Sequence, residues 1–120
     1  MTRTQILGAR GEMVAAAFLR RAGLQIVAQN WRSALGEIDL VALEGEEVVV
    51  VEVKTRVGGV EVAPDIAVGA AKLARLGRLA EAYLSREGTP DAAWRVDVIA
   101  IVLDARGDVR SLEHLRGAFL

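Results

Sequence analysis

Three charged residues in two adjacent predicted strands have the types and spacing that phosphodiester hydrolysis requires. Residues 48–54 are predicted to form a valine-rich β-strand, and Glu52 and Lys54 project from the same face of it because strand side chains alternate. If a turn at 44–47 joins this strand to the one before it, Asp39 lies directly opposite Glu52. Two carboxylates ~5 Å apart either raise one pKa or share a cation, and such oxygen ligands suit Mg²⁺ or Mn²⁺.

These residues would have defined roles around the cation. The metal, held by Asp39 and Glu52, would polarise the scissile phosphate, lower the pKa of a bound water and stabilise the leaving oxygen. Lys54 would orient that water or stabilise the negative charge that develops on the phosphate. Glu12 lies on a predicted helix without an ion-pair partner three or four positions away, so it could bind a second cation or position the first.

Each of these residues also has an ordinary structural explanation. Glu37 lies opposite Lys54 in the same register, so the two could form a simple cross-strand ion pair. Asp39 could cap the start of its strand next to Gly36, and Glu12 could be an unpaired surface residue. The catalytic interpretation therefore depends on whether the carboxylates converge.

The elements that must position these residues are predicted to form one α/β domain over residues 1–120, in the order α, β, β, β, α, β, β. The apolar spacing over 5–22 predicts a helix that Gly23 ends. A second helix is predicted from Asp65, as its N-cap, to Arg86. Strands are predicted at 24–28, 37–43, 48–54, 94–103 and 109–115, with a turn around Asn30.

Composition excludes several classes of function. The chain has no cysteine, which removes thiol nucleophiles, zinc–thiolate sites and disulfides. Aromatic residues make up only 4%, so an aromatic platform for stacked bases is not expected. No apolar run is long enough for a signal peptide or a membrane span, and a cytoplasmic protein with no membrane partner is predicted. The net charge is −1, but residues 37–52 carry six acids and no base between two basic segments, as a metal site flanked by phosphate contacts would.

Basic residues near the acidic segment are candidates for contacts with a nucleic-acid backbone. They could equally form a solvated surface. The three candidates are Arg32, Arg56 and Lys72. Asp97 lies in a predicted core strand beside Arg95 and is interpreted as structural, and the single histidine, His114, is assigned no role.

The segments around these residues resemble the YraN family of bacterial proteins, and the resemblance covers essentially the whole chain. The tandem of GEIDL and VEVKTR is its specific part. The matching segments are Gly11-Glu12, Asn30-Trp31-Arg32, Gly36-Glu37-Ile38-Asp39-Leu40, Val51-Glu52-Val53-Lys54-Thr55-Arg56, Lys72, Arg95-Val96-Asp97-Val98-Ile99 and Ala118-Phe119.

That family is similar to the restriction endonuclease-like superfamily and to archaeal Holliday-junction resolvases. The resemblance implies a central mixed β-sheet flanked by two main helices. It also implies a site of a helical acid, an Asp, and Glu-x-Lys on the next strand, which here are Glu12, Asp39, Glu52 and Lys54. A DNA-processing nuclease that uses Mg²⁺ or Mn²⁺ is therefore expected, and a homodimer is left open because many relatives with such a site are dimers.

Three functions remain open on the sequence. The first is a metal-dependent endonuclease that acts on branched or flapped DNA, with RNA as the less favoured substrate. The second is a non-catalytic nucleic-acid-binding or adaptor module that keeps the nuclease fold. The third is a protein-interaction domain whose acidic hairpin is only a charged surface, which a structure with Asp39 and Glu52 on opposite faces of the sheet would favour.

Overall fold

The computed structural model describes residues 1–118, which form two helices and five strands in the predicted order. Phe119 of the family pattern lies outside the described residues. The elements are α1 (Arg3–Arg21), β1 (Gln25–Ser33), β2 (Gly36–Glu44), β3 (Glu47–Val57), α2 (Ala70–Arg86), β4 (Trp94–Leu103) and β5 (Val109–Leu115). Neither helix within residues 1–118 is both long and apolar enough to cross a bilayer.

The five strands form one mixed sheet in the order β1-β2-β3-β4-β5. Strands β3 and β4 are parallel, and the other three neighbouring pairs are antiparallel. A parallel pair requires a crossover connection, and α2 provides it. This arrangement confirms the predicted α/β restriction endonuclease-like fold with two main helices.

The sheet is covered on both faces, which explains why β3 is a continuous run of valines rather than an alternating strand. Val49 and Val51 are fully buried in the cluster that contains the apolar face of α1. Val48 and Val50 are buried in the cluster that contains the apolar face of α2. A charged residue on β3 must therefore lie beneath one of the helices or at the margin of its cover.

The ends of α1 follow the local sequence. Thr2 forms a capping box with Gln5 at the start of the helix. At the other end the N–H of Gly23 donates to the carbonyl of Arg20, and the N–H of Leu24 donates to that of Leu19. Gly23 has φ +96°, the conformation this type of helix end requires, so the predicted stop is confirmed.

The predicted start of the second helix was wrong. Asp65 is not an N-cap, because α2 begins at Ala70 after Gly69. The Oδ1 atom of Asp65 instead accepts the N–H of Ala67, which closes a local turn, and its Oδ2 atom accepts hydrogen bonds from two cationic side chains of β3. These contacts hold residues 65–67 in an irregular connection rather than in a first helical turn.

The predicted turn around Asn30 was also wrong, because β1 continues through this residue. Asn30 has φ +50° and lies between the paired positions Gln29–Leu40 and Trp31–Ile38. Asparagine tolerates this left-handed conformation better than most residues do. The strand is therefore locally twisted at Asn30 but not ended.

The hairpin between β2 and β3 has the predicted register. Leu43 pairs with Val48, although the loop has two residues rather than four because Glu44 also pairs with Glu47. Gly45 in this loop has φ +59°, which glycine adopts without strain. The position of Asp39 relative to β3 is thus set by the register that the sequence predicted.

The close approach of α1 to β3 depends on Gly11. A Cβ atom at Gly11 would lie 2.0 Å from Oγ1 and 3.0 Å from Cβ of Thr55. We expect Gly11→Ala to lower the free energy of unfolding by about 1–3 kcal/mol through overpacking. Gly8 is the matched control, because nothing lies within 4 Å of a Cβ there, and Gly8→Ala should stabilise the helix by about 0.5–1 kcal/mol. Urea unfolding of both variants measures the difference, and equal effects would contradict the close packing.

Candidate functional site

Asp39 lies where β2 passes from one face of the sheet to the other. In a regular strand Ile38 and Leu40 would share a face, but Ile38 packs in the α2 cluster and Leu40 in the α1 cluster. The left-handed Asn30 lies on the neighbouring strand at the same level. This local reversal allows side chains from both sides of the sheet to approach Asp39.

The carboxyl groups of Asp39 and Glu52 converge as the hairpin register predicts. The described ladder of β2 and β3 reaches the pair Leu40–Val51, and beyond it the N–H of Val53 donates to Oδ2 of Asp39 at 2.8 Å. The carboxyl group of Asp39 also lies within hydrogen-bonding reach of that of Glu52. The two residues therefore do not lie on opposite faces, the arrangement that would have favoured a purely charged surface.

Burial and neighbouring acids make Asp39 an unusually weak acid. Burial is the largest cause, and the Glu52 and Glu12 carboxylates add to it, so the pKa of Asp39 rises from 3.8 to about 7 even though the Val53 N–H acts in the other direction. Glu52 itself is 6% exposed. A cation placed between the two carboxylates would relieve the repulsion that raises this pKa.

Glu12 approaches the same pair from α1. Burial raises its pKa, the side chain of Asn30 donates a hydrogen bond that lowers it, and the charges of Glu37 and Glu52 raise it further. The small residue Gly11 beside it allows α1 to lie against Thr55 of β3. As predicted, the helix lies across the sheet and brings the carboxylate of Glu12 close to the hairpin.

Two lysines neighbour the acid pair, and each is held by a carboxylate. The ammonium group of Lys72, on α2, forms an ion pair with Glu52. Lys54 donates to Oδ2 of Asp65 at 3.1 Å and to the carbonyl of Ala67. Lys54 is thus directed toward the segment before α2, while the ammonium group of Lys72 binds the buried carboxylate of Glu52.

The candidate arginines are exposed and only loosely held. Arg56 donates to Oδ2 of Asp65 at 3.2 Å, and Nε of Arg32 lies 3.8 Å from the carboxylate of Glu37. Because Glu37 is paired with Arg32 and Lys54 with Asp65, the alternative cross-strand pair of Glu37 with Lys54 is not formed.

The structure thus assembles the predicted site in part. Asp39 and Glu52 are together, Glu12 is close enough to influence both, and Lys54 shares their side of β3 without contacting them. In the described part of the chain, no three acidic or histidine side chains lie close enough together to hold a cation by themselves. Asp65 was assigned no role in the site by the sequence; its only signal was its position shortly after Lys54 and Arg56.

A second polar cluster lies on β4 and β5. Asp97 is fully buried, and it accepts hydrogen bonds from Nε of Arg95 at 2.9 Å and from the N–H of Gly117 at 2.9 Å. Nε2 of His114 lies 2.8 Å from its second oxygen. The structural interpretation of Asp97 is confirmed. His114, which the sequence left without a role, is its partner because β5 pairs with β4.

The chain is similar to a large set of bacterial proteins over nearly its whole length. Residues 11–101 match the model of a family described as "Uncharacterised protein family UPF0102". A UPF0102 protein of Arthrobacter sp. (strain FB24) is 48% identical over 98% of each chain. A UPF0102 protein of Moorella thermoacetica is 43% identical over 93% of each chain. A UPF0102 protein of Rhodococcus opacus (strain B4) is 42% identical over 99% of this chain and 100% of the relative.

Proposed function

The chain belongs to the UPF0102 family, the YraN proteins, and from that premise we propose that it is a metal-dependent nuclease that hydrolyses phosphodiester bonds of DNA. The observation that carries the proposal is the convergence of the half-buried carboxyl group of Asp39 on β2 with the buried one of Glu52 on β3, the central strand of the sheet. We further propose a preference for branched or flapped DNA, a cytoplasmic location, and Mg²⁺ or Mn²⁺ as the cofactor.

The donor set fits such a cation. Mg²⁺ is commonly held by one or two carboxylates, with water and substrate phosphate completing its shell, so Asp39 and Glu52 suffice as protein ligands. Glu12 would bind through a water or position the first two residues, since it does not form a three-carboxylate group with them. The raised pKa of Asp39 also fits, because a site that disfavours its own negative charge gains most from a cation.

A bound cation would supply Lewis acidity toward the scissile phosphate. Asp39 is held for this task by the Val53 N–H, which donates to its Oδ2 atom beside Glu52. Lys54 would exchange Asp65 for a phosphate oxygen and stabilise the charge that develops there. Once a cation neutralises Glu52, Lys72 would release Glu52 and bind a phosphate of the DNA backbone. Arg32 and Arg56 would contact phosphates farther from the reacting one.

The direct test is cleavage of end-labelled junction, flap, single-stranded and duplex DNA, and of matched RNA, in Mg²⁺ or Mn²⁺. We expect cleavage of at least one DNA substrate, dependent on the metal and abolished by EDTA. Folded protein that leaves all substrates intact in both metals would contradict the proposal.

A second candidate is a nucleic-acid-binding module without turnover. It is favoured by the pairing of Lys54 with Asp65 and of Glu52 with Lys72, which satisfies two of the predicted catalytic groups inside the protein. This function predicts salt-sensitive DNA binding that survives Asp39→Asn and Lys54→Ala. Under the nuclease proposal, the same two changes abolish cleavage while the fold is retained.

A further inference from the structure

Three arginines from two distant parts of the chain line one cavity beside the first turns of α1. The cavity has a volume of about 470 Å³ and lies between α1 and the turn that joins β4 to β5. Its lining residues are Arg3, Ile6, Leu7, Arg10, Ala105, Arg106 and Gly107. No carboxylate is among them, so the cavity wall is strongly basic in a chain whose net charge is −1.

The carboxylate of Asp104, which begins the turn, is occupied by the backbone of the turn. Oδ1 of Asp104 accepts the N–H of Arg106 at 2.8 Å and that of Asp108 at 3.0 Å, so it serves the turn itself. The charge of Arg106 is felt at Asp104, but within residues 1–118 neither Arg106 nor Arg3 forms an ion pair. Arg10 is held in place by its Nε, which donates to the carbonyl of Gly107 at 3.1 Å.

Guanidinium groups gathered in this way repel one another and are available to an anion. Their planar, forked donors match phosphate oxygens better than a lysine ammonium does. Within the described residues the lining has no aromatic ring to stack a base and no acid to bind a ribose. The cavity is therefore suited to a phosphate group rather than to a whole nucleotide.

Two further cavities lie along α1 beside the arginine cavity, and Glu12 of the candidate site lines both. Leu7 also lines a second cavity of about 290 Å³, which Gly8 and Glu12 line as well. Gly8 and Glu12 in turn line a third cavity of about 410 Å³ together with Asn30 and Arg32. Neighbouring cavities in this series of three share lining residues along the first half of α1, and the series leads from the three arginines to Glu12.

We propose that the arginine cavity, formed by Arg3, Arg10 and Arg106, binds a backbone phosphate of the DNA strand whose scissile bond lies at Asp39 and Glu52. The inference rests on the proposed function for the identity of the ligand. The strand follows the series of cavities past Glu12, and the arginines fix its register several residues from the reacting phosphate. The contact is to the backbone and carries no base specificity.

The test compares two double variants with equal loss of charge. Arg3→Gln with Arg106→Gln removes two cavity arginines that bind no other group of the described chain. Arg20→Gln with Arg21→Gln removes two exposed arginines from the other end of α1. Affinity for fluorescein-labelled single-stranded and duplex DNA is measured by anisotropy in EDTA, where no cleavage occurs, over a range of salt concentrations. The cavity variant should bind about tenfold more weakly, with a salt slope smaller by about 1, while the control stays near wild type.

Each other outcome overturns the inference. Equal loss in both variants would show that only net charge matters. Displacement of the labelled strand by micromolar adenosine 5′-monophosphate would assign the cavity to a free nucleotide. If the wild-type protein binds none of the DNA, DNA is not the ligand of the cavity. The proposed function is judged separately, by cleavage in Mg²⁺ or Mn²⁺. If the cavity variant binds DNA like wild type and still cleaves it, the cavity is not a phosphate site, and the proposed nuclease function is unaffected.

Discussion

Replacement of Asp39 by asparagine is expected to lower DNA cleavage by about 10³-fold or more, because it removes one of two charged oxygen ligands from the proposed cation. The amide keeps the shape of the side chain and can still accept the N–H of Val53 through its oxygen. The fold is therefore retained while the charge is lost. Cleavage rates in Mn²⁺, measured on the best substrate of the panel, give the size of the effect.

The same variant should be more stable than the wild type in the absence of metal, by an amount that grows as the pH rises from about 4 to about 7. The pKa of Asp39 is 3.8 in the unfolded chain and about 7 in the folded one, so the folded state binds the proton more strongly. Its favourable contribution is complete below pH 3.8 and is lost as the pH rises through about 7. Asparagine does not ionise, so Asp39→Asn should gain about 2 kcal/mol over wild type at pH 8 and little near pH 4.

Glu81→Gln is the matched control for both measurements, because Glu81 is exposed on α2 and its replacement also removes one negative charge. It should change neither cleavage nor the pH dependence of stability. Two results would contradict the assignment: an Asp39→Asn protein that cleaves like wild type, or one whose melting temperature does not rise relative to wild type between pH 5 and pH 8.

The parts of the fold that local sequence determines were predictable. The valine run of β3, the glycine stop of α1 and the boundaries of β4 and β5 follow from periodicity and chain-breaking residues. The hairpin register then placed Asp39 opposite Glu52, because the short turn at Gly45 fixes which residues of β2 and β3 face each other. The core of the candidate site follows from this register alone.

Features that depend on distant partners were not predictable in this way. Asp65 satisfies the local criteria for an N-cap, but Lys54 and Arg56 bind it from another element. The twist at Asn30 and the reversal of faces at Asp39 require both strands to be seen together. His114 could be matched to Asp97 only once β5 was known to pair with β4. Each case is a tertiary contact that overrides or completes a local preference.

The largest expected effect on stability is at Asp97, which has no part in the proposed chemistry. Its carboxylate is fully buried and is shared by Arg95, His114 and the Gly117 N–H. Asp97→Ala removes the acceptor of the Gly117 N–H and of the His114 ring, and it takes from Arg95 one of three carboxylates, since Nη1 of Arg95 also donates to Glu44 and Glu47. We expect a loss of about 2–4 kcal/mol in the free energy of unfolding. Asp97→Asn, which keeps an oxygen acceptor, should lose less.

The pH dependence of this loss distinguishes a buried charge from a lost hydrogen bond. Burial alone would raise the pKa of Asp97, but the hydrogen bonds from Arg95, Gly117 and His114 outweigh it and hold the pKa below 3.8. The stabilisation is therefore complete above that value and is lost as the pH falls toward the folded pKa, so the gap between wild type and Asp97→Ala should narrow in acid. Glu113→Ala, at an exposed position of β5, should stay within about 0.5 kcal/mol of wild type throughout. Urea titrations at pH 3 and pH 7 provide the comparison, and a gap that is the same at both would mean that the ionised carboxylate is not what stabilises the cluster.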